Sequence, residues 1–125
     1  MTNAEVYALM RGNYERQFPR SCPVCARQFA SLREYLLATS PVGRMVSYDI
    51  DANDWAPAEP LGTVALSNCS CGNTLGLGTE LLAHPDRLAL LAWLRDEAGR
   101  RGLPPQDVLD ECRRILRARV LEGEP

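Results

Sequence analysis

Two tight cysteine pairs constrain this chain more than any other feature. Cys22 and Cys25 are separated by two residues, Cys69 and Cys71 by one, and 43 residues lie between the pairs. Together they supply four thiolates, the number that a closed tetrahedral zinc site takes. Pro23 stiffens the first turn, and Gly72 can adopt the positive φ that a tight second turn requires. The sequence therefore predicts one metal site with four ligands, namely Cys22, Cys25, Cys69 and Cys71.

The residues around both pairs resemble a known kind of metal-binding domain. The segment Cys22-Pro23-Val24-Cys25 resembles the first knuckle of zinc-ribbon and rubredoxin-like domains. The segment Cys69-Ser70-Cys71-Gly72 resembles their second knuckle with one residue deleted. Over residues 20–30 and 62–80, the resemblance implies a four-cysteine metal site at the tip of a small sheet. Zn²⁺ is favoured because it is redox-silent and prefers thiolate tetrahedra, with iron as the alternative.

The same four sulfurs allow a redox hypothesis. A Cys-x-Cys pair with a Cys-x-x-Cys pair resembles the zinc centre of the redox-regulated bacterial chaperone, in which oxidation to disulfides ejects the metal. In this chain the order of the two pairs is reversed. The fifth cysteine, Cys112, lies on the apolar stripe of a predicted helix and is interpreted as a buried core thiol.

The sequence of the first two thirds of the chain predicts short helices and short strands. Capping boxes at Thr2–Glu5 and Ser31–Glu34 predict two short helices, the first ending near Gly12. Residues 44–50 alternate in a way typical of an exposed strand, and residues 51–60 have the composition of a surface loop. Residues 62–68 and 74–79 predict a β-hairpin whose tip carries the second cysteine pair.

The last third predicts a helical hairpin. Helices are expected over residues 86–98 and 105–121, and an apolar stripe on the second contains Val108, Cys112 and Leu116. Two helices cannot hide this much apolar surface, so the hairpin must pack on the cysteine-containing half or on a second copy. The predicted fold is therefore α+β, with a small zinc-ribbon-like domain over residues 1–83, containing short N-terminal helices and a β-hairpin, and a C-terminal helical hairpin over residues 84–125.

Composition excludes several classes of function. The net charge of −2, from 14 basic and 16 acidic residues, argues against a coat of positive charge for nucleic acid. All the basic residues are Arg, which we attribute to a GC-rich bacterial genome. No apolar run approaches the length of a membrane span, and the first twenty residues lack the pattern of a signal peptide. These observations predict a cytoplasmic protein that does not act in a membrane.

Catalytic groups are sparse. The single histidine, His84, precedes Pro85 at a predicted helix start and is interpreted as a capping or surface residue. Asp49, Asp51 and Asp54 lack the glycine and the bidentate glutamate of a calcium loop, so we interpret them as solvated loop acids. We therefore expect a non-enzymatic protein.

A DNA-binding alternative rests on the C-terminal helices. Residues 98–108 match part of a helix-turn-helix pattern, and Arg113, Arg114, Arg117 and Arg119 could meet phosphates. Acidic residues crowd the start of the same helix, so nucleic acid is possible but not favoured. The main hypothesis is a zinc-binding regulatory or adaptor protein that binds a protein partner, or a second copy, through its C-terminal helices.

Overall fold

Helices and short antiparallel strands make up the computed structural model, which describes residues 1–123. The five helices of this region are α1 (Asn3–Glu15), α2 (Leu32–Ala38), α3 (Tyr48–Asp51), α4 (His84–Arg101) and α5 (Pro105–Glu122). The five strands are β1 (Arg20–Ser21), β2 (Gln28–Phe29), β3 (Ser40–Ser47), β4 (Thr63–Asn68) and β5 (Thr74–Gly78). The α+β class predicted from the sequence is confirmed.

The N-terminal helix is longer than its sequence predicts. Thr2 and Glu5 form the expected capping box, but the helix continues through Gly12 to Glu15. A glycine inside a helix costs about 1 kcal/mol relative to alanine. Burial of Val6, Met10 and Tyr14 on one face of the helix offsets this cost. The predicted end at Gly12 is therefore wrong.

The strands form two sheets, and all their pairings are antiparallel. β1 pairs with β2, and the larger sheet has the order β3–β4–β5, with Asn68 opposite Thr74 at the tip of the predicted hairpin. The strand predicted over residues 44–50 is shifted. It begins at Ser40 and ends at Ser47, where α3 starts. Pairing with β4 extends the strand back through Pro41, and the register between the two strands shifts between Val42 and Val46.

The helical hairpin packs on the cysteine-containing half of the same chain. Val108, Leu109 and Leu116 of α5 join Met10, Met45 and Leu77 in one hydrophobic cluster. Two polar contacts reinforce this arrangement: Arg33 donates to the carbonyl of Val120, and Arg44 forms an ion pair with Asp107 at 2.7 Å. The apolar stripe is thus covered within the chain, the first of the two alternatives that the sequence left open. The last two residues of the predicted segment 84–125 lie outside the described residues.

The loop after α3 depends on a buried carboxylate. Asp49 is only 4% exposed, and its two carboxylate oxygens accept the backbone N–H groups of Leu61 and Gly62, each at 2.9 Å. The interpretation of Asp49 as a solvated acid is therefore wrong. This carboxylate closes the loop of residues 50–60 onto the start of β4. Among the described residues, no helix combines the length and the apolar character needed to cross a membrane.

Candidate metal centre

The first cysteine pair lies in a turn between β1 and β2. The N–H of Cys22 donates to the carbonyl of Arg27 at 2.9 Å, and the N–H of Ala26 donates to the carbonyl of Cys22 at 2.9 Å. Ala26 has a φ of 64°, a left-handed conformation that a residue with a side chain adopts at a cost. These contacts hold Cys22 and Cys25 on the same side of the turn.

The second pair lies in a similar turn that is one residue shorter, between β4 and β5. Here the N–H of Cys69 donates to the carbonyl of Asn73 at 2.8 Å, and the N–H of Gly72 donates to the carbonyl of Cys69 at 2.9 Å. Gly72 has a φ of 93°, the positive value expected for this position. The two turns therefore present their cysteines from two separate hairpins.

The four sulfurs meet at one point between the turns. Their Sγ atoms all lie within 4.8 Å of one another. The Sγ atoms of Cys22 and Cys71 are 3.7 Å apart, and those of Cys25 and Cys69 are 3.6 Å apart. A zinc–sulfur bond of about 2.3 Å gives a sulfur–sulfur edge of about 3.8 Å in a regular tetrahedron. These two distances therefore match edges of a metal tetrahedron and are far longer than the ~2.05 Å of a disulfide.

Hydrogen bonds, desolvation and the neighbouring sulfurs give the thiols different pKa values. Donation from the backbone N–H of Cys25, helped by the N–H of Val24 and by Asn73, lowers the pKa of Cys22 to about 6. The backbone N–H of Cys71 likewise lowers the pKa of Cys69. The backbone N–H of Asn73 acts in the same direction on Cys71, but desolvation and three neighbouring sulfurs outweigh it, raising the pKa of Cys71 to about 11. Ionisation of all four thiols at this distance therefore requires a cation that compensates their charge.

Asn73 is a site residue that the sequence analysis missed. Its side-chain Nδ2 lies 3.6 Å from the Sγ of Cys22, close enough for a hydrogen bond to sulfur. No motif marks this residue, because its role depends on the meeting of two turns that are far apart in the sequence. Its position directly after Gly72 in the second turn is the only local signal that could have found it.

The other residues considered from the sequence lie away from the sulfurs. His84 is exposed at the start of α4, where its Nε2 is 2.8 Å from the carbonyl oxygen of Ala58. Cys112 is buried in α5, and burial raises the pKa of its thiol to about 12. Neither belongs to the cluster, which contains no histidine, aspartate or glutamate among residues 1–123.

The α5 arginines considered for DNA binding are mostly engaged within the chain. Arg113 donates to the backbone carbonyls of Gly43 and Leu66, and the guanidinium of Arg119 lies 5.0 Å from the centre of the Tyr7 ring. Arg117 is half-buried and has one buried guanidinium nitrogen. Of these four arginines, Arg114 alone is exposed, and the other three are half-buried. This arrangement gives the DNA-binding alternative no specific support.

No protein-family model matches the chain, and no curated protein or solved structure matches it either. The structure itself shows a mixed helix and strand fold with a cluster of four cysteines that could hold a metal ion.

Proposed function

We propose that this chain is a zinc protein with a structural, zinc-ribbon-like centre ligated by Cys22, Cys25, Cys69 and Cys71. The observation that carries the proposal is the sulfur spacing of 3.6–3.7 Å across the two turns. Thiolates select zinc or iron among the common metals, and a closed set of four is typical of structural zinc. Iron is the alternative metal for the same ligands.

The proposed centre holds the fold together and has no catalytic role. A catalytic zinc keeps one position open for water or substrate, whereas four sulfurs fill a tetrahedron. Structural zinc sites of this kind contribute on the order of 10–16 kcal/mol in small peptides. In this chain the metal would tie the β1–β2 turn to the β4–β5 turn, so that two hairpins with few residues each form one rigid end of the molecule.

Metal analysis of the purified protein tests this part of the proposal. The wild-type chain should contain one zinc ion per molecule, and Cys22→Ser and Cys71→Ser should each lose most of it. Cys112→Ala is the matched control, because it removes a cysteine outside the cluster and should keep the metal. One iron ion per molecule would replace zinc in the proposal, and a metal-free wild-type protein would overturn it.

We further propose a regulatory or adaptor role through contact with a protein partner. The C-terminal helices were expected to supply this surface, but their apolar stripe is buried in the chain. Two large exposed apolar side chains are the alternative candidates: Val24, in the first cysteine turn, is 69% exposed, and Leu37 of α2 is 62% exposed. Arg27 contacts both the cysteine turns and the surroundings of Leu37. Its guanidinium donates to the hydroxyl of Ser70 in the second turn, and it lines a groove together with Leu37.

Light scattering and a pull-down from a bacterial lysate test the adaptor proposal. A stable complex or a homodimer should form with the wild-type chain and weaken in the double variant Val24→Asp, Leu37→Asp. Leu81→Asp is the control, because Leu81 is also exposed but follows the other end of β5. If the complex survives the double variant but is lost when the exposed face of α4 is changed, the partner binds the C-terminal helices instead. A strict monomer without a partner would refute an adaptor role.

Redox-controlled metal release is the second candidate function. It is favoured by the distances between buried and exposed thiols, since buried Cys22 lies 3.7 Å from exposed Cys71 and buried Cys69 lies 3.6 Å from exposed Cys25. Peroxide should then release zinc and produce disulfides between the two turns, which peptide mapping by mass spectrometry would detect. A protein that keeps its metal under peroxide is not such a switch.

A further inference from the structure

The four cysteines of the cluster differ in their access to solvent. Cys22 is 0% exposed and Cys69 is 3% exposed, whereas Cys25 and Cys71 are both exposed residues. Each cysteine turn therefore contributes one buried and one exposed cysteine. The Sγ atoms of the exposed pair lie within 4.8 Å of each other, as all pairs in the cluster do. The edge between Cys25 and Cys71 accordingly lies at the surface, where a small molecule can approach it.

Each exposed cysteine has a buried cysteine of the other turn as a close neighbour. The Sγ atoms of Cys71 and Cys22 are 3.7 Å apart, and those of Cys25 and Cys69 are 3.6 Å apart. A sulfur that reacts at the surface therefore has a second sulfur in contact with it from the protein interior.

Positive charge lies beside the exposed edge. Arg27 is exposed, and its guanidinium donates to the hydroxyl of Ser70, between the two cysteines of the second turn, at 3.3 Å. Its other contact is with the ring of Phe29, 6.0 Å from the guanidinium carbon. Within residues 1–123, no carboxylate forms an ion pair with Arg27. Glu34 lines the same groove, but its carboxylate accepts from the N–H of Ala30 at 2.8 Å.

We propose that Cys25 and Cys71 are modification sites for a small disulfide that carries carboxylate groups, and that the buried cysteines complete the reaction. The inference rests on the proposed zinc centre, because a bound zinc ion keeps its sulfur ligands as thiolates, the form that attacks disulfides. Arg27 attracts the carboxylates of the small molecule to the exposed edge.

The reaction is an exchange of thiols and disulfides in two steps. The Sγ thiolate of Cys71 attacks one sulfur of the small disulfide, whose S–S bond breaks, and the other half leaves as a thiolate with the electron pair. The thiolate of Cys22 then attacks the Sγ of Cys71, forms the disulfide between the two turns and expels the second half as another thiolate. Cys25 and Cys69 react in the same way. In each case two cysteine thiolates are oxidised, one small disulfide is reduced to two thiolates, and the metal loses two ligands.

Glutathione disulfide is the probe, applied to the zinc-loaded wild-type protein. Samples are quenched at short times with N-ethylmaleimide, and the peptides are mapped by mass spectrometry. Glutathione should appear first on Cys25 and Cys71, and the Cys22–Cys71 and Cys25–Cys69 disulfides should follow as zinc is released. Cys112, which is buried away from the cluster, is the internal control and should stay unmodified at early times. An absent modification, first addition to Cys22 or Cys69, or disulfides formed within one turn would overturn the inference.

The role of Arg27 is tested with a second, neutral disulfide. Arg27→Gln should slow the reaction with glutathione disulfide about 3-fold at low ionic strength and leave the reaction with 2-hydroxyethyl disulfide unchanged. High salt should remove the difference between variant and wild type. Arg114→Gln is the control, because it removes an exposed arginine of α5 and should keep both rates. Equal effects of Arg27→Gln on the two disulfides would refute the preference for an anion.

The two proposals fail in different ways. A wild-type protein that contains no metal overturns the proposed zinc centre. A zinc-loaded protein that resists glutathione disulfide, or reacts first at its buried cysteines, overturns only the modification sites.

Discussion

Removal of the Asn73 side chain is predicted to weaken zinc binding without changing the four ligands. The sulfur of Cys22 receives three donors, the backbone N–H groups of Cys25 and Val24 and the side-chain Nδ2 of Asn73 at 3.6 Å. Asn73→Ala removes only the last, because the backbone carbonyl of Asn73, which accepts from Cys69, remains. The turn should therefore keep its conformation.

The expected magnitude follows from the strength of one hydrogen bond to a charged acceptor. Such a bond contributes about 1.5–3 kcal/mol, and about 1.4 kcal/mol corresponds to a 10-fold change in affinity. Loss of an outer hydrogen bond to a metal ligand typically costs about 10- to 100-fold in metal affinity. Since two backbone donors remain on Cys22, Asn73→Ala should fall in the lower part of that range.

Competition with a chromophoric chelator measures the affinity. Asn68→Ala is the matched control, because Asn68 lies on the same hairpin but its side chain accepts from Thr74 at 2.7 Å and reaches no sulfur. It should bind zinc within about 2-fold of the wild type. If Asn73→Ala also stays within about 2-fold, the Asn73 side chain does not support Cys22 and the reasoning is refuted.

Three further predictions concern the backbone, the buried carboxylate and the fifth cysteine. Gly72→Ala should cost about 1–2 kcal/mol, seen as weaker zinc binding, because a φ of 93° strains a residue with a side chain. Asp49→Ala should lower the free energy of unfolding in urea by about 2–4 kcal/mol, because two buried N–H groups lose their acceptor, whereas Asp51→Ala should change it by less than about 0.5 kcal/mol. Burial raises the pKa of Cys112 to about 12. The folded chain therefore keeps a thiol proton that the unfolded chain loses above about pH 8.5. The free energy of unfolding should accordingly fall as the pH rises from about 8.5 toward 12. Cys112→Ala should flatten this pH dependence in urea titrations, and an unchanged slope would contradict the assignment.

Elements with local signals could be predicted from the sequence. Ser31 caps α2 as its capping pattern indicated, and the β4–β5 hairpin places the second cysteine pair at its tip. α4 and α5 both occur; α4 extends beyond the predicted residues 86–98 at both ends, and α5 is one residue longer than predicted. In each of these cases the residues that define the element are neighbours in the chain, so capping, turn chemistry and periodicity were sufficient.

Features that depend on distant residues could not be predicted. β3 begins at Ser40, four residues earlier than predicted, because its first residues pair with β4. Asp49 is buried because Leu61 and Gly62, more than ten residues later, present their N–H groups to it. The cysteine cluster was the exception, since four residues of one rare type in two tight pairs suggested a meeting point before any contact was known.

X-ray absorption at the zinc edge tests the central claim, a closed four-sulfur centre, most directly. The spectrum of the purified wild-type protein should show four sulfur neighbours at about 2.3 Å and no nitrogen or oxygen neighbour. Cys71→Ser, if it retains any zinc, should show three sulfurs and one lighter atom. A wild-type centre with fewer than four sulfurs, or with a nitrogen or oxygen ligand, would contradict the closed structural site.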